Sequence, residues 1–76
     1  MNYKSTNLLL LELGNKIRLE RSKRNMSQEE LAEKANVSIR TISDIERGLT
    51  DIRYTNLLQI SEAFGLTGSQ MLDFHY

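Results

Sequence analysis

Cysteine, proline and tryptophan are absent from this sequence of 76 residues, which also has a single histidine and four glycines. Without cysteine, no disulfide and no thiolate metal site can form, and His75 alone cannot build a zinc site. The longest uninterrupted apolar run, Leu8 to Leu11, is too short to span a bilayer, and no small-residue cleavage site follows it. We therefore expect a protein of the reducing cytoplasm, with no membrane segment, signal peptide, metal or cofactor.

The sequence also has no excess of positive charge, because ten lysines and arginines are balanced by ten acidic residues. A net charge of zero excludes a polybasic coat that would bind nucleic acid indiscriminately. Basic residues are nevertheless concentrated in one stretch, which contains Lys16, Arg18, Arg21, Lys23 and Arg24 against one acid, Glu20. This stretch can form a basic face on a neutral protein, and a solvated surface of mixed charge is the alternative.

Hydrophobic periodicity predicts five helices and no strand, in a single domain that spans residues 1–76. The predicted helices cover about 7–24, 28–35, 39–47 and 53–64, and a short fifth helix runs through Met71 and Leu72. One face of the first helix is formed by residues at helical spacing, which are Leu10, Leu13, Ile17 and Arg21. Because few residues follow the fifth helix, we expect no effector domain and an all-α protein that acts through its own surface.

The second and third helices have clear starting signals. Ser27 and Glu30 have the spacing of a capping box at the second helix, and Ser38 can cap the third. Asn36 can take the left-handed backbone conformation that ends a helix and turns the chain. Two short helices joined by such a tight turn predict a helix-turn-helix over about 28–47.

The third helix of this motif has one apolar face and one exposed face. Ile42 and Ile45 are expected to anchor it to the core. The residues left on its outer face are Ile39, Arg40, Ser43 and Asp44, with Thr41 at the edge. An exposed, mostly polar surface two turns long on an anchored helix fits the width of a DNA major groove.

The stretch MSQEELAEKANVS, from Met26 to Ser38, followed by ISDIERG, from Ile42 to Gly48, resembles the Cro/phage-repressor (Xre-type) helix-turn-helix family. The resemblance extends over about 14–72. It implies a compact five-helix, lambda repressor-like domain that binds DNA sequence-specifically, usually as a homodimer on a two-fold operator. The sequence departs from the family pattern at three positions, which are Glu20 in place of an inward aliphatic residue, Asn36 in place of glycine and Ile52 where proline is common.

The resemblance implies a role for each matching residue. The base-reading positions are Ile39, Arg40, Thr41, Ser43 and Asp44. Arg40 can donate two hydrogen bonds to guanine, whereas Asp44 either accepts one from cytosine or pairs with Arg40 and holds it in place. Ile39 either touches a thymine methyl group or is partly buried.

Phosphate contacts are expected from Gln28, Ser38, Arg47, Arg53, Tyr54 and Asn56. Gln28 would lie at a helix N-terminus beside a phosphate, or would simply occupy the first turn, and Tyr54 is alternatively part of the core. The family also implies a structural ion pair between Arg21 and Glu46, with a solvated Arg21 as the alternative.

A homodimer is predicted from the apolar residues near the C-terminus. The family resemblance implies a contact through the fourth and fifth helices, which places the interface at Leu49, Met71, Leu72, Phe74 and Tyr76. The first-helix leucines Leu8, Leu11 and Leu19 are a weaker second candidate. So small a domain gains stability from pairing.

The sequence therefore predicts a non-enzymatic transcriptional regulator that binds double-stranded DNA at an inverted-repeat operator. It would act as a small repressor, a Cro-like switch or a restriction–modification controller, without a membrane or small-molecule ligand. The alternative is a protein-binding module, such as an antitoxin or anti-repressor partner. Arg40 and the basic first helix favour DNA over protein.

Overall fold

A computed structural model describes residues 6–73, and every regular element within them is a helix. The helices are α1 (Thr6–Lys23), α2 (Gln28–Ala35), α3 (Ile39–Glu46), α4 (Tyr54–Phe64) and α5 (Gly68–Met71). The predicted all-α fold is confirmed, and the helix ends agree with the sequence prediction to within about one residue. None of these helices is long and apolar enough to cross a membrane.

The helix ends have the capping chemistry that the sequence predicts. The Ser27 hydroxyl oxygen accepts a hydrogen bond from the Glu30 amide at 3.0 Å, and the Glu30 carboxylate accepts one from the Ser27 amide at 3.0 Å. This bond from the Ser27 amide lowers the pKa of Glu30. Asn36 ends α2 in the left-handed region with φ of 58°, and this conformation turns the chain toward α3.

The core lies where all five helices meet. Its fully buried apolar side chains are Ile17, Leu31, Ile42, Ile60 and Met71. Ile42 and Ile45 anchor α3 to this core, as expected from their spacing. On α1, however, Leu10 is only half-buried, and Gly14 and Glu20 are buried beside Leu13 and Ile17.

The helices α1 and α3 touch through their backbones at Gly14. A Cβ atom at this position would lie 2.7 Å from the carbonyl oxygen of Glu46, and closer still to that of Ile45. Real Cβ atoms do not approach backbone oxygen so closely, so the crossing requires glycine. The C-terminal end of α3 is thereby held directly against α1.

Candidate nucleic-acid interface

The outer face of α3 combines exposed side chains with a buried anchor. Ile39 is 45% exposed, so it is not part of the core. The Arg40 side chain is 86% exposed and extends from the first turn of the helix. Thr41, Ser43 and Asp44 are half-buried along the same helix. The structure therefore brings all five predicted base-reading residues onto one accessible helix.

Asp44 lies between two arginines on this face. Its Oδ2 atom is 3.6 Å from Nε of Arg40, one turn earlier, and its Oδ1 atom accepts a hydrogen bond from Nη2 of Arg47 at 3.1 Å. The distance to Arg40 is that of the ion pair that one of the two roles left open for Asp44 requires. The carboxylate limits the directions in which both guanidinium groups can point.

The N-terminus of α2 approaches the C-terminal end of α3. Nε2 of Gln28 donates a hydrogen bond to Oε1 of Glu46 at 3.1 Å. The side chain of Gln28, in the first turn of α2, is therefore fixed by a hydrogen bond to α3. At the start of α3, the Ser38 hydroxyl accepts a hydrogen bond from the Thr41 amide at 3.0 Å.

A cleft separates α3 from the beginning of α4. It has a volume of about 330 Å³ and is lined by Thr41, Asp44, Ile45, Thr50, Asp51, Arg53 and Asn56. Tyr54, in the first turn of α4, is 71% exposed, which places it outside the core. Arg53 is exposed and Asn56 is half-buried, so the cleft brings two of the predicted phosphate contacts beside Thr41 and Asp44 of α3.

Arg21 and Glu46 form a close ion pair. Nε of Arg21 lies 2.8 Å from Oε2 of Glu46, and Nη2 lies 3.0 Å from Oε1, a two-point contact that fixes the orientation of both groups. The side chains are 18% and 4% exposed, so Arg21 is not solvated as in the alternative interpretation. The hydrogen bonds to Glu46 raise the pKa of Arg21 above its usual value.

A second buried carboxylate, Glu20, was not assigned a role from the sequence. It is 5% exposed and is surrounded by three cations, with Nζ of Lys16 at 3.0 Å, Nζ of Lys23 at 3.1 Å and Nη1 of Arg24 at 2.8 Å. The hydrogen bond from Arg24 is the main reason that the pKa of Glu20 falls to about 2, although burial opposes this shift. The spacing of these cations at i−4, i+3 and i+4 is the sequence signal that identifies the cluster.

Arg24 also joins the ends of two helices. Nη1 donates to the carbonyl oxygen of Glu20 at 2.8 Å, and Nη2 donates to that of Phe64, at the end of α4, at 2.9 Å. The guanidinium carbon lies 4.8 Å from the centre of the Phe64 ring. Together with the ion pairs to Glu20 and Glu46, these contacts engage most of the basic stretch. Of the two possibilities that the sequence left open, a surface of mixed charge therefore describes it better than a basic face.

The residues predicted for a dimer interface differ in accessibility. Leu49 and Leu72 are 65% and 51% exposed. Met71 instead fills the core and has no exposed surface, because the short α5 turns it inward against the other helices, so it is removed from the interface. Phe74 and Tyr76 lie outside the described residues.

The first-helix leucines, the weaker dimer candidate, are also exposed. Leu8, Leu11 and Leu19 are each about half exposed. The Leu11 side chain lies against Gly48, in the loop that follows α3.

The short α2, the left-handed turn and the anchored α3 define a helix-turn-helix protein. The sequence model of the helix-turn-helix family matches residues 17–70. The chain therefore belongs to this family, and the resemblance to Cro/phage-repressor proteins is confirmed.

Two kinds of comparison agree with this assignment. The control protein C.BamHI of Bacillus amyloliquefaciens is 44% identical over 70 residues, which cover 91% of this chain and 86% of that protein. The solved restriction-modification controller protein C.Esp1396I has 25% identity and a TM-score of 0.75, and the match covers 96% of this chain and 100% of that one. The controller C.AhdI of Aeromonas hydrophila has the same fold, with a TM-score of 0.80, 24% identity, and coverage of 83% of this chain and 96% of its own.

Proposed function

We propose that this protein is a transcriptional regulator that occupies an inverted-repeat DNA operator as a homodimer, in the cytoplasm and without catalytic activity. The observation that carries the proposal is the construction of α3. Its inner face is fixed by Ile42 and Ile45, whereas Arg40 on the outer face is 86% exposed. An anchored helix that presents an exposed guanidinium is suited to reading guanine in the major groove.

The exposed polar residues divide into two groups by their expected contact. Arg40 reads a base, supported by Ile39, Thr41 and Ser43, and Asp44 holds Arg40 in its reading position. Backbone phosphates are held by the residues that surround this helix, which are Gln28, Ser38, Arg47, Arg53, Tyr54 and Asn56. Phosphate contacts fix the register of the protein on DNA, and base contacts select the sequence.

The dimer is proposed to form through Leu49, Leu72 and the C-terminal residues Phe74 and Tyr76. Exposed apolar surface at Leu49 and Leu72 supports this placement. Two-fold pairing of domains this small would place the two α3 helices about 34 Å apart, one turn of DNA. The expected operator is therefore an inverted repeat with half-site centres one helical turn apart.

We further propose that the regulated system is a restriction–modification system. The support is the 44% sequence identity to C.BamHI over 91% of this chain, together with the structural similarity to C.Esp1396I over the whole of that protein. The operator would then lie beside restriction–modification genes.

DNA binding is tested by selecting high-affinity duplexes from a random pool and measuring their dissociation constants by fluorescence anisotropy. Arg40→Ala should weaken binding to the selected duplex by about 5- to 150-fold per half-site and leave random duplex almost unchanged, since a bidentate guanine contact contributes ~1–3 kcal/mol. Lys34→Ala, at the far end of α2, is the matched control for removing one exposed cation.

Two outcomes would contradict the proposal. If Arg40→Ala weakened random and selected duplexes equally, Arg40 would be a phosphate contact and not a base reader. If the wild-type protein bound no duplex at any salt concentration, the protein-binding alternative would replace DNA binding.

A further inference from the structure

Glu46 serves more than one partner, although it is only 3% exposed. Its Oε2 atom accepts from Nε of Arg21 at 2.8 Å. Its Oε1 atom accepts from both Nη2 of Arg21 at 3.0 Å and Nε2 of Gln28 at 3.1 Å. One carboxylate at the end of α3 therefore binds a cation from α1 and an amide from the first turn of α2.

The N-terminus of α2 is held at two points by this arrangement. Nη1 of Arg21 donates to the carbonyl oxygen of Met26 at 2.8 Å, just before the capping residue Ser27. The Gln28 side chain is held by Glu46 one residue after the cap. The backbone entering α2 and the first side chain of α2 are thus both fixed relative to α3.

The charge of Glu46 determines which way the Gln28 amide faces. A carboxylate only accepts hydrogen bonds, so the amide must present its nitrogen to Glu46. That nitrogen has two hydrogens, and the bond to Glu46 uses one of them. Arg21 neutralises the carboxylate, so Glu46 does not place an uncompensated negative charge near DNA.

We propose that Glu46 is a positioning residue for DNA binding, which fixes the Gln28 amide so that its second N–H is directed at one backbone phosphate. This inference rests on the proposed function. The phosphate contact at α2 then depends on a carboxylate that belongs to α3, the helix proposed to read the bases. A purely structural ion pair would stabilise the fold but would not affect any single phosphate.

The test replaces individual phosphates of the selected duplex by neutral methylphosphonates and measures affinity for each. Of the positions at which replacement weakens wild-type binding, one in each half-site should be the Gln28 contact, with a loss of about three- to tenfold, the net contribution of one typical hydrogen bond. Gln28→Ala should bind the unmodified duplex more weakly by the same factor per half-site and be insensitive to replacement at that position.

Glu46 is then removed without leaving a buried charge. The double variant Arg21→Met/Glu46→Met replaces the pair by apolar side chains, a change that buried ion pairs often tolerate. It should lose sensitivity at the same phosphate as Gln28→Ala, and adding Gln28→Ala to it should cause no further loss. Glu46→Gln keeps an acceptor for Gln28 and should retain the sensitivity.

A wild-type measurement keeps the inference testable if the double variant does not fold. In the nuclear magnetic resonance spectrum, one side-chain amide proton of Gln28 should be protected from exchange in the free protein, and the other should shift when the duplex is added. Retained sensitivity in a folded double variant, or two unprotected protons on Gln28, would overturn the positioning role. Absence of any DNA binding by wild type would instead overturn the proposed function.

Discussion

Replacing Glu20 by glutamine should weaken the fold in a way that depends on pH. The carboxylate is 5% exposed and contacts Lys16, Lys23 and Arg24 at 2.8–3.1 Å. Glutamine has nearly the same shape but lacks the charge, so the three cations would lose their common partner. The variant therefore isolates the electrostatic contribution of the cluster.

The magnitude follows from the pKa of Glu20, which falls from 4.5 to about 2 in the folded protein. At ~1.4 kcal/mol for each unit of pKa, this difference corresponds to about 3 kcal/mol of folding free energy. The Lys23 side chain is 67% exposed, so solvent screens part of its interaction. We expect a loss of ~2 kcal/mol for Glu20→Gln at pH 7.

The sign of the pH dependence is determined by the lowered pKa. Above pH 4.5, Glu20 is ionised in both folded and unfolded chains, and its full contribution is present. Between pH 4.5 and about 2, the unfolded chain binds a proton that the folded chain does not, so the free energy of unfolding decreases as the pH is lowered. Below this window, both states are protonated and the contribution is lost.

The assay is urea unfolding followed by circular dichroism, between pH 7 and pH 2. The stability difference between wild type and Glu20→Gln should be largest at pH 7 and should disappear near pH 2. Glu33→Gln, which changes an exposed carboxylate on α2, is the matched control and should show almost no difference. A difference that stays constant across the pH range would refute the electrostatic explanation.

Three further predictions concern the packing of the fold. Gly14→Ala should lower the free energy of unfolding by ~1–3 kcal/mol, because the added methyl group meets backbone oxygens. Gly68→Ala is the control in the same urea titration and should be nearly neutral, because the added methyl group meets only a side chain, at 3.4 Å. Arg21→Ala and Glu46→Ala should each lower the free energy of unfolding by ~3–5 kcal/mol, and the double variant should lose less than the sum of the two. Additive losses in thermal melts would show that the two residues are not coupled. Asn36→Gly should stabilise the protein by up to ~1 kcal/mol, since φ of 58° suits glycine better, and a lower melting temperature would contradict this reasoning.

The helix boundaries were predictable because they depend on local chemistry. Ser27 and Glu30 are three residues apart and form the expected capping box. Asn36 adopts the left-handed conformation that its short polar side chain tolerates. Such signals involve neighbours in sequence, so no knowledge of tertiary packing is needed.

The partners and the burial of the polar and charged side chains were harder to predict. The sequence places Lys16 and Arg24 four residues from Glu20, but the burial of Glu20 among them depends on how α1 packs. Likewise, Gln28 was assigned to phosphate from the family resemblance, and its bond to Glu46, 18 residues away, required the packed fold. Met71 was assigned to an interface because apolar residues cluster near the C-terminus, and the four residues of α5 are too few for a periodicity that would identify its inward face.

The two hydrogen bonds and the ring contact of Arg24 have a consequence for local unfolding. This single guanidinium binds the carbonyl groups of Glu20, in the last turn of α1, and of Phe64, the last residue of α4. Because helix ends normally fray independently, a shared partner makes the last turns of these two helices open together. Residues 40 or more positions apart along the chain are thereby joined into one cooperative unit at this end of the molecule.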